Sequence, residues 1–199
     1  MAIDVWESTN RIETLVDGIF AIAMTLLVLT IDVPQLPDTV SNVALQSTLI
    51  GLWPKFFAYG LSFILLAIFW RMNHQQFYII KRTNTTLLQI TVMWLLFVAL
   101  VPFSASLTSE YGHLQSAVIF FHINMFLIGF FPALVWYYAV KKNFMDEGIT
   151  LERINEIQKI HLILPFLSLI AIIISFLTPS WSSLTYAFHP LVKKIIGYF

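Results

Sequence analysis

Three ionisable residues, Arg11, Glu13 and Asp17, stand at the head of an apolar run that closes on Asp32, Val33 and Pro34. A second polar set lies in the stretch FWRMNHQQF. There Trp70, Asn73, His74 and Phe77 recur at i, i+3, i+4 and i+7, a spacing that puts them on one helical face. His74 and the Trp70 indole N–H can donate hydrogen bonds to a carboxylate, and Asn73 can donate or accept. Two chemistries are open to these groups. Asp17 can be a charged anchor held by polar partners from the second set, or Asp17 and His74 can hand a proton between them. Bond-breaking chemistry has no such support, because the chain holds no Gly-x-Ser-x-Gly, no His-Glu-x-x-His and no paired carboxylates on one face. The sequence therefore reads as a non-enzyme.

The elements that must carry these groups lie in a membrane. The chain is 58% hydrophobic and only 11% charged, against roughly 25% charged in an ordinary soluble domain. Its mean hydropathy is +0.80. The 11 basic and 11 acidic residues cancel, which gives no footprint for a nucleic-acid partner. With no cysteine there is no disulfide, thiolate metal site or cysteine nucleophile. Met1–Asn10 carries no Lys or Arg, and no small-residue cleavage site follows the apolar run, so a cleaved signal peptide is not expected.

Uncharged runs set the expected span count. The first span runs from about Thr9 to Val33 and the second from Leu49 to Phe77. The third covers Thr83 to Ser109 and the fourth Tyr111 to Val140. Ile160 to Val192 is too long for one crossing and is interrupted by Thr178-Pro179-Ser180, so it reads as a fifth and a sixth span. The expected fold is all-α, a single six-helix transmembrane domain over residues 1–199, with no internal repeat. Ten of the 11 basic residues fall in loops on one side or near its termini, and Lys55 alone lies near the opposite end of the second span. Short-loop Lys/Arg marks the cytoplasmic side, so both termini are expected there, in a multi-pass protein of the cell (inner) membrane. The Lys55 stem can snorkel to the outer interface, and its charge reads as an anchor or an ion-sensing group. The stretch Lys141 to Lys159 mixes both signs and reads as a solvated loop. His122 and Asn124 read as a polar contact in the fourth span, and His161 and His189 as residues near the interfaces.

Gly18 to Ile31 is fourteen uncharged residues, about 21 Å of helix at ~1.5 Å per residue, whereas the hydrocarbon core is roughly 30 Å thick. Pro34 and Pro37 end the helix beyond Asp32, which can face outside water. Asp17 is then drawn to or inside the boundary and should face protein rather than lipid. At 100° per residue, Arg11, Leu15, Gly18, Ile22, Leu26, Leu29 and Val33 fall within about 60° of one line, with Thr25 on its flank and Asp17 roughly 140° from Ile22. The first span should thus have two buried faces: an apolar seam and a polar side contacting His74. The spacing alone fits plain helix packing as well as a pore lining.

The stretch RIETLVDGIFAIAMTLLVLTIDVP resembles the first helix of the prokaryotic relatives of the lysosomal potassium channel, the transmembrane protein 175 family. That family's signature is Arg or Lys, three residues, then Phe-Ser-Asp; Arg11 and Asp17 match it, while Leu15 and Val16 replace Phe and Ser. LWPKFFAYGLSF and FWRMNHQQF also resemble the family, and the likeness extends over all six spans. The resemblance implies a potassium-permeable channel in the lipid bilayer. It implies a homotetramer with the first helix of each subunit lining a central pore, a hydrophobic constriction at Ile22 with Leu26 and Leu29 above it, and a hydroxyl ring at Thr25 that contributes to selectivity. No Thr-Val-Gly-Tyr-Gly stretch supplies carbonyl ligands, so selectivity should be modest and gating should proceed by dewetting of the apolar rings. Arg11, Asp17, Trp70, Asn73 and His74 form the expected structural network, with Arg11 paired to Glu13 or Asp17 of its own or a neighbouring subunit. No cofactor or resident metal is expected, only permeant potassium. The alternative is a proton-coupled secondary transporter relaying through Asp17 and His74, although such carriers usually show repeats and broken midplane helices.

Overall fold

The computed structural model describes residues 5–6, 8–37, 39 and 41–195, with side chains from residue 8 onward except those of 193 and 195. The expectation for Met1–Asn10 lies in part outside the described residues. Among the described residues the regular structure is helical apart from an isolated antiparallel bridge between Ile80 and Met145 and one small antiparallel pair, β1 (Val5–Trp6) with β2 (Thr83–Asn84), in which Val5 faces Asn84 and Trp6 faces Thr83.

The first span is α1 (Asn10–Leu26), continued by a tighter 3₁₀ segment, Leu27–Thr30. α2 (Asn42–Gly51) is capped by the Ser41 hydroxyl, which accepts from the Ala44 N–H at 3.2 Å. α3 (Trp53–Ile79) has Pro54 in its first turn, where a missing N–H costs nothing. The third span comprises α4 (Thr85–Ala99) and α5 (Val101–Tyr111). It breaks at Leu100, just before Pro102, whose ring cannot donate to Val98. α6 (Gln115–Lys141) and α7 (Leu151–Ser175) each carry an internal proline, Pro132 and Pro165.

Among the described residues five helical stretches are long and apolar enough to cross a membrane: Asn10–Thr30, Trp53–Ile79, Thr85–Tyr111, Gln115–Lys141 and Leu151–Ser175. The sixth expected span has a different form, made of α8 (Pro179–Ser182), a 3₁₀ stretch at Ser183–Phe188 and α9 (His189–Ile195). The local chemistry explains the breaks. The Ser182 hydroxyl donates to the Pro179 carbonyl and Thr185 to the Ser182 carbonyl, both at 2.7 Å. Such i−3 bonds suit 3₁₀ winding, and Pro190 removes another N–H at the start of α9.

The prolines also shape the core. Pro132 leaves the Ile128 carbonyl without its usual helical donor, and the Trp94 indole N–H takes that oxygen at 2.9 Å. Gln76 Nε2 donates to the Pro132 carbonyl at 2.9 Å. Together these bonds fasten α6 to α3 and α4. α6 and α7 lie so close at Gly129 that an added Cβ would sit 2.6 Å from Pro165 Cδ.

The stretch Lys141–Lys159 is less solvated than its charge suggests. α7 already begins at Leu151, and Phe144 and Met145 are buried. Lys81 N–H donates to the Phe144 carbonyl at 2.8 Å and Asp146 N–H to the Ile79 carbonyl at 2.9 Å, so this loop clasps the end of α3. Ion pairs Lys81–Asp146 (3.7 Å) and Arg82–Glu147 (3.8 Å) sit outside it. Asn143 takes the left-handed conformation (φ 56°) that ends α6, a position where asparagine's short amide side chain is tolerated.

Candidate functional site

α1 divides into two unlike faces. Ile12, Val16, Phe20, Ala23 and, beyond the helix end, Leu27 are buried and recur at three- and four-residue intervals. Phe20 meets Trp94 with ring centroids 5.3 Å apart, which locks this stripe onto α4. About 110° around the helix from that stripe, at ~100° per residue, lie Leu15, Ile22, Leu26 and Leu29, respectively 42, 57, 42 and 71% exposed. A Cβ added at Gly18, on the same line, would meet nothing within 4 Å. The seam read from the spacing is thus uncovered within one subunit, and the stripe that packs inside the subunit is a different one. Met24, on the far side from Ile22, is partly buried against the core.

The Thr25 hydroxyl donates to the Ile22 carbonyl at 2.8 Å. Its single proton is committed to the helix backbone, so its oxygen lone pairs are what it can offer to a cation.

The expected contact of Asp17 with His74 is corrected. The donor to Asp17 is Trp70, whose Nε1–H reaches Oδ1 at 2.7 Å, and Asp17 is exposed in the subunit rather than buried. His74 instead stacks on the Trp70 ring, with centroids 6.1 Å apart and planes at 23°. The indole is the longer side chain and reaches across to α1, while the imidazole one turn later supports its face. Asn73 is buried and His74 is exposed, so the spacing that groups them does not bring both to Asp17. Arg11 is exposed and makes no ion pair among the described residues. Glu13 is engaged by the Thr9 hydroxyl.

Several contacts were not legible in the spacing. Lys55 Nζ lies 3.5 Å from Asp32 and 3.9 Å from Glu110, tying together the ends of three spans on the side opposite most basic residues. His122 is fully buried, with Nδ1 2.9 Å from the Tyr186 hydroxyl and Nε2 2.9 Å from Ser182 Oγ. Since Ser182 gives its proton to Pro179, it accepts from Nε2–H of the neutral ring, and Nδ1 accepts from Tyr186. This polar contact staples the broken final segment to α6. Asn124 reaches Ser104 at 3.2 Å. His161 and His189, expected near interfaces, are both buried.

α1 thus leaves one apolar face uncovered within the subunit, with Arg11, Glu13 and Asp17 near one end. The family model described as the endosomal/lysosomal potassium channel TMEM175 matches residues 11–102. A potassium channel of Chamaesiphon minutus is 33% identical over 174 residues, covering 85% of each chain. A potassium channel of Streptomyces collinus is 33% identical over 147 residues, covering 71% of this chain and 69% of that one. Among solved structures, a lysosomal potassium-selective channel TMEM175 homolog from Chamaesiphon minutus superposes with a TM-score of 0.81 at 30% identity, over 95% of this chain and 98% of that one. The chain belongs to the TMEM175 family, a family of ion channels, and is a multi-pass membrane protein.

Proposed function

We propose that this protein is a potassium-permeable, modestly selective cation channel, assembled as a homotetramer with α1 of each subunit lining the pore. The observation that carries the reading is the uncovered apolar face of α1, distinct from the buried stripe that already satisfies the subunit's own core. Four such faces converging on an axis would place Ile22 at a hydrophobic constriction, with Leu26 and Leu29 toward the outer end. Rings of these side chains cannot replace ion hydration and gate by wetting and dewetting. Thr25 would add four hydroxyl oxygens beside that ring, each with its proton held by the helix. Asp17, Trp70 and His74 form the collar that positions α1 against α3, Asn73 supports it from the buried side of α3, and Arg11 finds its counter-charge in a neighbouring subunit. The proposed assembly needs no cofactor and no resident metal.

Residues 179–195 serve as the sixth crossing in this reading. Eleven α-helical residues at ~1.5 Å and six 3₁₀ residues at ~2.0 Å give about 28 Å, close to the roughly 30 Å hydrocarbon thickness. The basic side, with both termini, faces the cytoplasm of the inner membrane. A proton-coupled carrier relaying through Asp17 and His74 has less support, because the Asp17 carboxylate is held by an indole that cannot pass a proton onward.

Purified protein in liposomes, tested separately with K⁺, Na⁺ and Cs⁺ gradients, distinguishes the two. Sustained flux far above about a thousand ions per second, with K⁺ and Cs⁺ ahead of Na⁺, is expected. Flux that requires a proton gradient would overturn the channel reading.

A further inference from the structure

A cavity of about 500 Å³ lies between the basic end of α3 and the first turns of α7, with His74 at its edge. Its lining offers two unlike sets of groups. Arg71 and Arg153 bring guanidinium charge; Arg153 also reaches Glu156 at 3.4 Å, while Arg71 has no ion-pair partner among the described residues. Gln76 and His161, respectively 1% and 4% exposed, each present one buried polar atom without a hydrogen-bond partner, Oε1 and Nε2.

The chemistry of those two atoms is set by their neighbours. Gln76 gives its amide N–H to the Pro132 carbonyl, so the free atom is an acceptor oxygen. His161 Nδ1 lies 2.8 Å from the Ile157 carbonyl and must carry the ring proton, so Nε2 of the neutral ring is also an acceptor. Two buried acceptors left unmet are costly. They call for a ligand with hydrogen-bond donors, and the arginines call for one with an anion. An ammonium donor beside two guanidiniums would be repelled, whereas a neutral hydroxyl is not.

Depth narrows the source. α3 has 27 residues, about 40 Å at ~1.5 Å each, so its ends reach beyond a hydrocarbon core of roughly 30 Å. Arg71 can extend its head toward that boundary, and basic pockets between membrane helices suit lipid phosphates. We propose that the cavity lined by Arg71, Arg153, Gln76 and His161 binds a phosphate ester bearing free hydroxyls, supplied by a phosphatidylglycerol-type lipid headgroup. The phosphate meets the two arginines, and the glycerol hydroxyls donate to Gln76 Oε1 and His161 Nε2.

The test uses the full-length purified protein in mild detergent and measures lipid retention by native mass spectrometry and thermal unfolding with added ligand. Phosphatidylglycerol is compared with phosphatidylmethanol, which has the same charge but no hydroxyls, with phosphatidylcholine, and with soluble glycerol 3-phosphate. Phosphatidylglycerol should bind roughly tenfold more tightly than phosphatidylmethanol and more tightly still than phosphatidylcholine. Arg71→Gln combined with Arg153→Gln should remove that preference. Lys141→Gln, an exposed cation at the same end of the bundle, should leave it intact. Stabilisation by glycerol 3-phosphate at comparable concentration would support the site but assign it to a free phosphorylated polyol. Equal retention of phosphatidylglycerol and phosphatidylmethanol, or equal losses from the arginine pair and Lys141→Gln, would overturn the proposal and leave the two acceptors to water.

Discussion

Replacing Trp70 with Phe removes one N–H while keeping an aromatic ring to stack on His74. The bond lost is the 2.7 Å contact from Nε1 to the Asp17 carboxylate. A hydrogen bond to a charged group contributes roughly 1.5–3 kcal/mol when desolvated. Asp17 is exposed in the subunit, so water can replace part of the loss, and about 1 kcal/mol per subunit is the expected cost in a dissociated chain. In a tetramer that covers this face, the cost should approach about 2 kcal/mol per subunit, multiplied by four copies. Trp70→Phe should therefore shift the tetramer–monomer equilibrium far more than it shifts subunit unfolding. The assay is a double-mutant cycle with Asp17→Ala, read by reversible unfolding in mixed micelles and by analytical ultracentrifugation. The cycle should return a coupling of about 1 kcal/mol or more between Trp70 and Asp17, and near zero between His74 and Asp17. Additive losses for Trp70 and Asp17, or a larger coupling for His74, would refute the geometry of the collar.

Three further outcomes are expected elsewhere in the molecule. Gly129→Ala places a methyl 2.6 Å from Pro165 Cδ and should cost about 1–3 kcal/mol, seen as a lower thermal midpoint. Tyr186→Phe leaves His122 Nδ1 without its partner and should cost about 1–3 kcal/mol; proteolysis should then reach the final segment before the rest of the chain. Lys55→Gln leaves Asp32 and Glu110 uncompensated at one mouth, which should raise single-channel cation conductance at low salt and lose that gain at high salt.

The parts of this fold that follow from periodicity were legible in the chain. The run from Gly18 to Ile31 announces a helix, and the line through Leu15, Ile22, Leu26 and Leu29 correctly groups side chains that share a face. Periodicity cannot say what covers a face, however. The stripe through Val16, Phe20 and Ala23 is equally regular, and only the position of Trp94 decides that this one turns inward. Trp70 and His74 were both legible as donors to Asp17, but the choice between them was not, for a related reason. Trp70 and His74 lie one turn apart, and side-chain reach, invisible in spacing, selects the indole. The broken form of the segment after Thr178 was hidden in its serines and threonines, whose hydroxyls bond backward to their own backbone and tighten the helix. A signal for the Trp94–Ile128 bond did exist, since a proline at 132 necessarily leaves the carbonyl four residues earlier seeking a donor.

The central claim is that ions pass along the uncovered face of α1, and a pair of substitutions on opposite sides of that helix tests it most directly. Ile22→Asn puts a hydrogen-bonding group at the proposed constriction and lowers the cost of wetting it. Met24→Asn puts the same group against the subunit core. Single-channel recordings with bi-ionic reversal potentials should show Ile22→Asn with a raised resting conductance and a reduced preference for K⁺ over Na⁺. Met24→Asn should lose stability or expression while the surviving channels keep wild-type ion preference. Wild-type conductance and reversal potential in Ile22→Asn would contradict the account and move the ion path off α1.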